Sequence, residues 1–432
     1  MKVMQKQTPT IREAAQKSGT PVVDAMIQGI RRHFERTGEW ITLLAVCPNS
    51  EAVLKAALLS ARDSRAPMLF AATLNQVDLD GGYTGWRQED FVQRVRTTNG
   101  EIKFNGTAVC CLDHGGPWLK DRQRLEGYSY EQAMAGVKGS LNACLDAGYE
   151  LLHVDPTVDT RLPPGQTIDI HDVAQRTLEL IQHAERHRRR MGRPRVSYEV
   201  GTEEVHGGLA NLDNFRTLLD ILKAGLPERH LADVWPVFVV GKVGTDLHTA
   251  EFDPHVARTL SEIAFPYGSV IKGHYTDGVS NAREYPLSQM GGANVGPELT
   301  EVEYETLVRL EKEEGIPNDA SHLGQVLERA VELSGRWKKW LLPDETGPDG
   351  ARRSFAQLAP ERRAWLTRTG CRYIWTEPDV VYARQILYQH LALRSIDGER
   401  EVFQAIAARI RRYFEAFNLV GAEITIGSAL AD

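Results

Sequence analysis

Paired cysteines are the first thing this chain does without. Its five, Cys47, Cys110, Cys111, Cys144 and Cys371, are odd in number and form no CxxC pair. That excludes a disulfide-stapled scaffold and a cysteine zinc ribbon, and it leaves the free thiols of a reducing cytoplasm as the expectation. Long uncharged apolar runs are missing, and the Lys- and Gln-rich start carries no apolar stretch of a secretory signal, so neither a membrane span nor export is expected. Positive charge is in deficit. With 51 Lys and Arg against 58 Asp and Glu, the formal net charge is -7, and the overall balance favours neither nucleic acid nor a membrane surface as partner. There is no Walker sequence, no strand-turn-helix GxGxxG, no internal repeat and no low-complexity tract.

What is present is an ordinary globular composition, 42% hydrophobic and 25% charged over 432 residues. Length alone suggests two to three domains, but one α/β barrel can absorb most of it. From Ile41 to Pro297, β-rich runs alternate with amphipathic stretches. The pattern predicts strands at Ile41–Cys47, Met68–Thr73, Thr107–Leu112, Leu151–Asp155, Val196–Val200, Val237–Gly241, Ser269–Lys272 and Met290–Val295. Helices are expected at Glu51–Ser64, Tyr130–Ala147, His171–Met191, Leu212–Ala224 and Pro254–Ala264. Eight strands with helical crossovers predict a closed (β/α)8 TIM barrel rather than an open doubly wound sheet. The expected organisation is an N-terminal helical segment (1–40, helix Val22–Arg36), a barrel (41–300) and a helical C-terminal extension (301–432). The extension should contain helices at Val302–Glu314, Ser321–Leu341, Pro360–Arg368, Pro378–Leu393 and Glu401–Phe417.

The run Cys111-Leu112-Asp113-His114-Gly115-Gly116-Pro117 ends a strand with a carboxylate, an imidazole and a glycine turn. It lies where barrels place their chemistry. Polar groups recur at the other strand ends: Asn49, Asn75-Gln76, His153-Val154-Asp155, Glu199 with Glu203-Glu204, Asp246-Leu247-His248, Gly273-His274 and Asn294. His114, His248 and His274 belong to separate strand ends and are candidate ligands of one divalent ion, zinc or another transition metal. Asp113 beside them suits acid/base work, and Glu203 is a further base, ligand or outer partner. Asn49, Asn75, Gln76, Asp155, Gly273 and Asn294 are the candidate substrate contacts. Each has a bland reading as a core, surface or turn residue; their joint placement favours function. Gly291-Gly292 with Gly278 offers backbone amides for a phosphate, or else a tight barrel turn. Tyr83 and Trp86 in the glycine-aromatic loop, and Trp118, serve equally as a sugar platform or as packing.

Several segments resemble the family named for the non-catalytic subunit of class II tagatose-bisphosphate aldolase. They are Leu74-Asn75-Gln76-Val77 with Gly81-Gly82-Tyr83-Thr84-Gly85, Asp113-His114-Gly115-Gly116-Pro117, His153-Val154-Asp155, Gly201-Thr202-Glu203 with Gly207-Gly208, and Asn294-Val295-Gly296-Pro297. The resemblance is nearest to its fructose 6-phosphate/tagatose 6-phosphate 4-epimerases, and it implies a metal-dependent barrel isomerase acting on a ketohexose 6-phosphate. Likeness to catalytic class II aldolases implies Asp113 as the proton-transfer residue and His114, His248 and His274 as metal ligands, although the loop at His248 and the Gly273-His274 order depart from the usual pattern. A homo-oligomer is expected.

In a 2-ketose, C4 is not α to the carbonyl, so enolisation cannot invert it, whereas retro-aldol cleavage between C3 and C4 can. The alternatives are an aldolase releasing two trioses and a non-catalytic stabilising subunit. A 4-keto route through nicotinamide finds no GxGxxG to support it.

Overall fold

The computed structural model describes residues 10–163, 166–201, 208–246, 251–315, 320–342, 345 and 353–431. Eight parallel strands close into a barrel: β1 (Leu43–Val46), β2 (Met68–Thr73), β3 (Ala108–Gly115), β4 (Leu151–Val154), β5 (Ser197–Gly201), β6 (Phe238–Val240), β7 (Val270–Gly273) and β8 (Gly292–Val295). Each strand pairs with its neighbours in sequence, and Leu43 opposite Gly292 begins the register that joins β8 back to β1. Buried on both faces, strands such as Leu43-Leu44-Ala45-Val46 read as unbroken apolar runs, as parallel sheets require. The expected TIM barrel is therefore present, with the expected strands shifted by at most a few residues at their ends.

Local chemistry sets the helices between the strands. Ser50 Oγ accepts from Val53 N at 3.2 Å to start Glu51–Ser64. Ser129 and Gln132 form a capping box for Tyr130–Ala147, which Gly148 ends at φ +94°. Pro254, Pro360 and Pro378 stand in first helical turns, where no backbone donor is needed.

Other expectations need correction. The helix placed at Val302–Glu314 begins at Pro297, in the first turn directly after β8. The single helix expected over Ser321–Leu341 is broken. Leu323–Ser334 stops at Gly335, at φ +63°, and a short 3-10 turn, Arg336–Trp340, follows. Helices at Ile11–Ser18, Gln88–Ile102 and Ala422–Ala431, and a two-stranded antiparallel ladder pairing Gly208–Leu209 with Val243–Gly244, were not anticipated.

Helix Val22–Thr37 covers the amino ends of the strands. Asp24 bonds Ser197 at the start of β5, and Arg31 Nη2 donates to Ser269 O just before β7 at 3.0 Å. The C-terminal helices wrap the barrel side, with Gly398–Ala416 packed on both Glu51–Ser64 and Pro297–Glu313. Part of the extension reaches the carboxyl-end mouth. Tyr373 meets Tyr83 edge to face at 5.1 Å, and Tyr83 OH donates to Asn49 Oδ1, just beyond β1, at 2.8 Å. No helix among the described residues is long and apolar enough to cross a membrane.

Candidate active site

Strand β3 carries a bulge between Leu112 and Gly115, where its register against β4 shifts. His114 sits in that bulge at φ +51°, a left-handed conformation that is uncommon for a residue with a Cβ. Gly116 makes the turn possible, since a Cβ there would lie 1.7 Å from Asp155 O. The bulge turns the imidazole of His114 toward the ends of β4 and β7.

Around it, Asp113, His114, His153 and His274 bring their ligand atoms within 4.8 Å of one another. The hydrogen bonds define orientations. His114 Nδ1 lies 2.5 Å from Asp155 Oδ2, and His274 Nε2 lies 2.9 Å from Glu199 Oε1. Each carboxylate takes the outer N–H of its histidine and so fixes the ring. The inner nitrogens, His114 Nε2 and His274 Nδ1, then face each other at 3.0 Å. Glu199 is held in turn by Lys272 Nζ at 2.6 Å, the lysine being 1% exposed inside the barrel. The backbone N–H of His114 donates to His153 Nδ1 at 3.1 Å, which ties the strained residue to β4.

These neighbours set the protonation states. Burial alone would raise the Asp113 carboxyl, but the charges of His114 and His274, a His153 hydrogen bond and Lys272 outweigh it and hold it well below the ordinary range. Burial opposes ionisation of Glu199 and Asp155 too. Lys272, His153 and His274 bring Glu199 down to about 2, and the His114 hydrogen bond and charge bring Asp155 to about 2. Burial disfavours the imidazolium of His114, yet Asp113 and Asp155 raise it to about 9. For His274 burial prevails over Asp113 and Glu199, and it falls to about 4. Of the two facing rings, His114 is therefore the more basic and His274 the less.

The donor set suits a transition-metal ion. Metal–nitrogen bonds of about 2.0–2.1 Å in a tetrahedron place ligand atoms about 3.3 Å apart. The separations here are 3.0 Å between the two imidazole nitrogens and 3.8 Å from His114 Nε2 to Asp113 Oδ1. Nearby, His153 Nε2 is buried with no hydrogen-bond partner, in space that a side chain at Gly201 would narrow.

The other residues expected from sequence are placed differently from one another. Asn294, on β8 beside Ala45 of β1, is 4% exposed, and neither its amide nitrogen nor its oxygen has a partner. Asn49 and Gln76 are joined at the mouth by a 2.9 Å hydrogen bond. Asn75, by contrast, holds the following loop through Leu119 O and Asp121 N, and the open side of Gly273 faces Met290 and Tyr285. Trp86 is buried and stacks on Phe91, and Trp118 is buried with its Nε1 donating to Tyr128 O, so both are packing residues. Glu203, Glu204 and His248 lie outside the described residues. Sequence reading gave no role to His153 and noted Glu199 only as a strand-end group; Lys272 was missed. The available signal was a charged or imidazole residue in the middle of otherwise apolar strands, Leu151–Val154, Ser197–Gly201 and Val270–Gly273.

The glycines of Gly291-Gly292 do not form an anion cradle. Gly291 packs against Val270 and Phe238, and the free amides beyond β8, Gly296 N and Glu298 N, donate to Asp277 Oδ1 at 2.9 and 2.8 Å.

Residues 28–412 match the family model for D-tagatose-1,6-bisphosphate aldolase subunit GatZ/KbaZ-like proteins. The fold is similar to that of a Sinorhizobium meliloti 1021 protein described as a probable tagatose 6-phosphate kinase, with TM-score 0.69 and 22% identity over 87% of this chain and 100% of that one. It is also similar to the fructose-bisphosphate aldolase of Campylobacter jejuni, with TM-score 0.52 and 10% identity over 92% of each chain.

Proposed function

Because the chain belongs to the D-tagatose-1,6-bisphosphate aldolase subunit GatZ/KbaZ-like family, we propose that its barrel mouth performs aldol-type chemistry as a 4-epimerase interconverting fructose 6-phosphate and tagatose 6-phosphate. The observation that carries this reading is the facing pair His114 Nε2 and His274 Nδ1, 3.0 Å apart, each with its outer nitrogen on a carboxylate and with Asp113 alongside. A divalent ion held there would supply Lewis acidity at the substrate C2 carbonyl.

The protein's own groups do the rest. Asp113, kept ionised by its cationic neighbours, accepts the proton of the C4 hydroxyl. The C4–O electrons form an aldehyde, the C3–C4 bond breaks, and its electron pair passes into the enediolate of dihydroxyacetone. The aldehyde turns its other face, C3 re-attacks, the aldehyde π electrons return to its oxygen, and Asp113 gives the proton back to that oxygen, the hydroxyl of an inverted C4. Asp155 and Glu199 keep the two rings oriented throughout, and Asn294 offers an amide with no competing partner to a substrate hydroxyl.

His114 and His274 are the first two ligands in this reading. The resemblance to class II aldolases makes His248 the third, while His153, whose Nδ1 accepts the His114 amide, stands beside the pair as the alternative. Metal content decides between them: His248→Ala should lose the ion, and loss in His153→Ala alone would transfer the role.

Incubating metal-loaded protein with fructose 6-phosphate, with a chelated control, tests the whole. Metal-dependent tagatose 6-phosphate with little free triose is expected. The family's description as an aldolase subunit supports a second reading, and chiefly triose, or inactivity together with stabilisation of a separate aldolase chain, would establish it instead.

A further inference from the structure

The proposed substrate carries a dianionic phosphate, and the site above holds nothing yet to receive it. The usual receptor, the amides at a helix start beyond the last strands, is engaged here by the protein's own carboxylate, Asp277, which accepts from Gly296 N and Glu298 N. Among the described residues, a cation elsewhere at the mouth can take that part.

Arg372 has the required properties. It lies in the extension, in the 3-10 turn Cys371–Tyr373, and is 7% exposed. Its Nε and Nη2 are both buried without a hydrogen-bond partner, and no ion pair involving it occurs among the described residues. A guanidinium removed from water with two idle donors is costly, and its fork geometry matches two oxygens of a phosphate. Three residues on, Trp375 Nε1 is another buried donor with no partner.

A continuous set of contacts leads from Arg372 to the mouth. The guanidinium lies 4.9 Å from the ring centre of Tyr373. Tyr373 meets Tyr83 edge to face at 5.1 Å, Tyr83 OH donates to Asn49 Oδ1, and Thr376 Oγ1 donates to Tyr83 O at 3.3 Å. Arg372 also exerts its charge on Tyr275, the residue after His274, and on Asp277. The neighbouring cations are differently placed: Arg336 and Lys339 each pair with Asp121 Oδ2 at 3.2 Å.

We propose that Arg372, supplied by the C-terminal extension, is the anion-binding residue of the barrel mouth and takes the phosphate of a sugar phosphate through its two unpartnered donors. The assignment of that phosphate to a ketohexose rests on the function proposed above; the anion site does not.

Calorimetric titration of the whole protein with inorganic phosphate separates the two. Arg372→Met and the milder Arg372→Lys, each checked for wild-type circular dichroism, should weaken phosphate binding roughly tenfold to a hundredfold, and Arg336→Gln should leave it near wild type. In the epimerase assay the same two variants should raise KM for fructose 6-phosphate far more than they lower kcat. No phosphate binding by the wild type, or undiminished binding in a folded Arg372→Lys or Arg372→Met, overturns the proposal. Phosphate binding that depends on Arg372 in a protein without epimerase activity keeps the anion site and removes the epimerase reading.

Discussion

The two ends of the barrel treat buried polar groups in opposite ways. At the amino end they are matched. Thr42 Oγ1 and Trp40 Nε1 both donate to Met290 O at 2.8 Å, Ser269 Oγ donates to Pro236 O at 2.7 Å while accepting from Trp235 Nε1, and Asp24 bonds Ser197. Among the described residues the exceptions are Arg31 Nε, on a side chain whose Nη2 is bonded, and Asn99 Oδ1, in the last turn of Gln88–Ile102. At the carboxyl end, His153 Nε2, both amide atoms of Asn294 and two nitrogens of Arg372 are buried without partners. A buried donor or acceptor left unmatched lowers stability. Where such groups gather at one end of a symmetrical frame, they mark the end that waits for a ligand, while the matched end holds the frame together.

Substitutions can break this contrast. The largest effect is expected at the centre. Asp113→Asn should lower turnover by about 10²–10⁴-fold with metal retained, whereas His114→Ala should lose metal and turnover together, read by metal analysis beside the epimerase assay. Metal retained in His114→Ala rejects the ligand assignment. One step out, Asp155→Asn should weaken metal affinity about 10–100-fold, because it unlatches the His114 ring.

Stability sharpens the contrast next. Asn294→Leu removes two unmatched atoms and should leave stability unchanged or raise it by about 1 kcal/mol while activity falls; Thr42→Val at the other end breaks a matched bond and should cost about 1 kcal/mol. Equal losses by urea unfolding would dissolve the distinction between the ends.

The smallest effect is a pH dependence. Burial raises the Asp24 carboxyl from 3.8 to about 6, against the Ser197 hydrogen bond and Arg195. A folded-state pKa above the unfolded one means that its contribution is fully present below 3.8 and is lost as pH rises through about 6. Asp24→Asn should flatten the stability profile over that window, and an unchanged slope would place the titration elsewhere.

The barrel was legible in the sequence because its strands are short apolar runs bounded by glycine and polar residues, a pattern set by burial on both faces. Tyr130–Ala147 and Pro378–Leu393 match the expectation to the residue, and in the structure Ser129 and Gly148 bound the first while Pro378 opens the second. Gln88–Ile102 was hidden by Thr97-Thr98-Asn99-Gly100, poor helix formers held in place by tertiary packing. At the site, Asp113, His114 and His274 stand at strand ends and could be read. His153 and Lys272 lie within strands, and only the closure of the barrel turns them onto one interior beside Glu199. Arg372 gave no signal, since the contact that brings its turn to the mouth, Thr376 Oγ1 on Tyr83 O, spans almost three hundred positions of chain.

The backbone of His114 has a consequence for how this chain can change. Its left-handed φ suits few residue types, and after glycine the best tolerated are asparagine and aspartate. Both are one nucleotide from histidine in the genetic code. A single base change to asparagine therefore removes a central imidazole while meeting the backbone conformation of the bulge, whereas aspartate would set a third carboxylate beside Asp113 and Asp155. At the level of the codon, the loss of that imidazole from the barrel mouth is one step away.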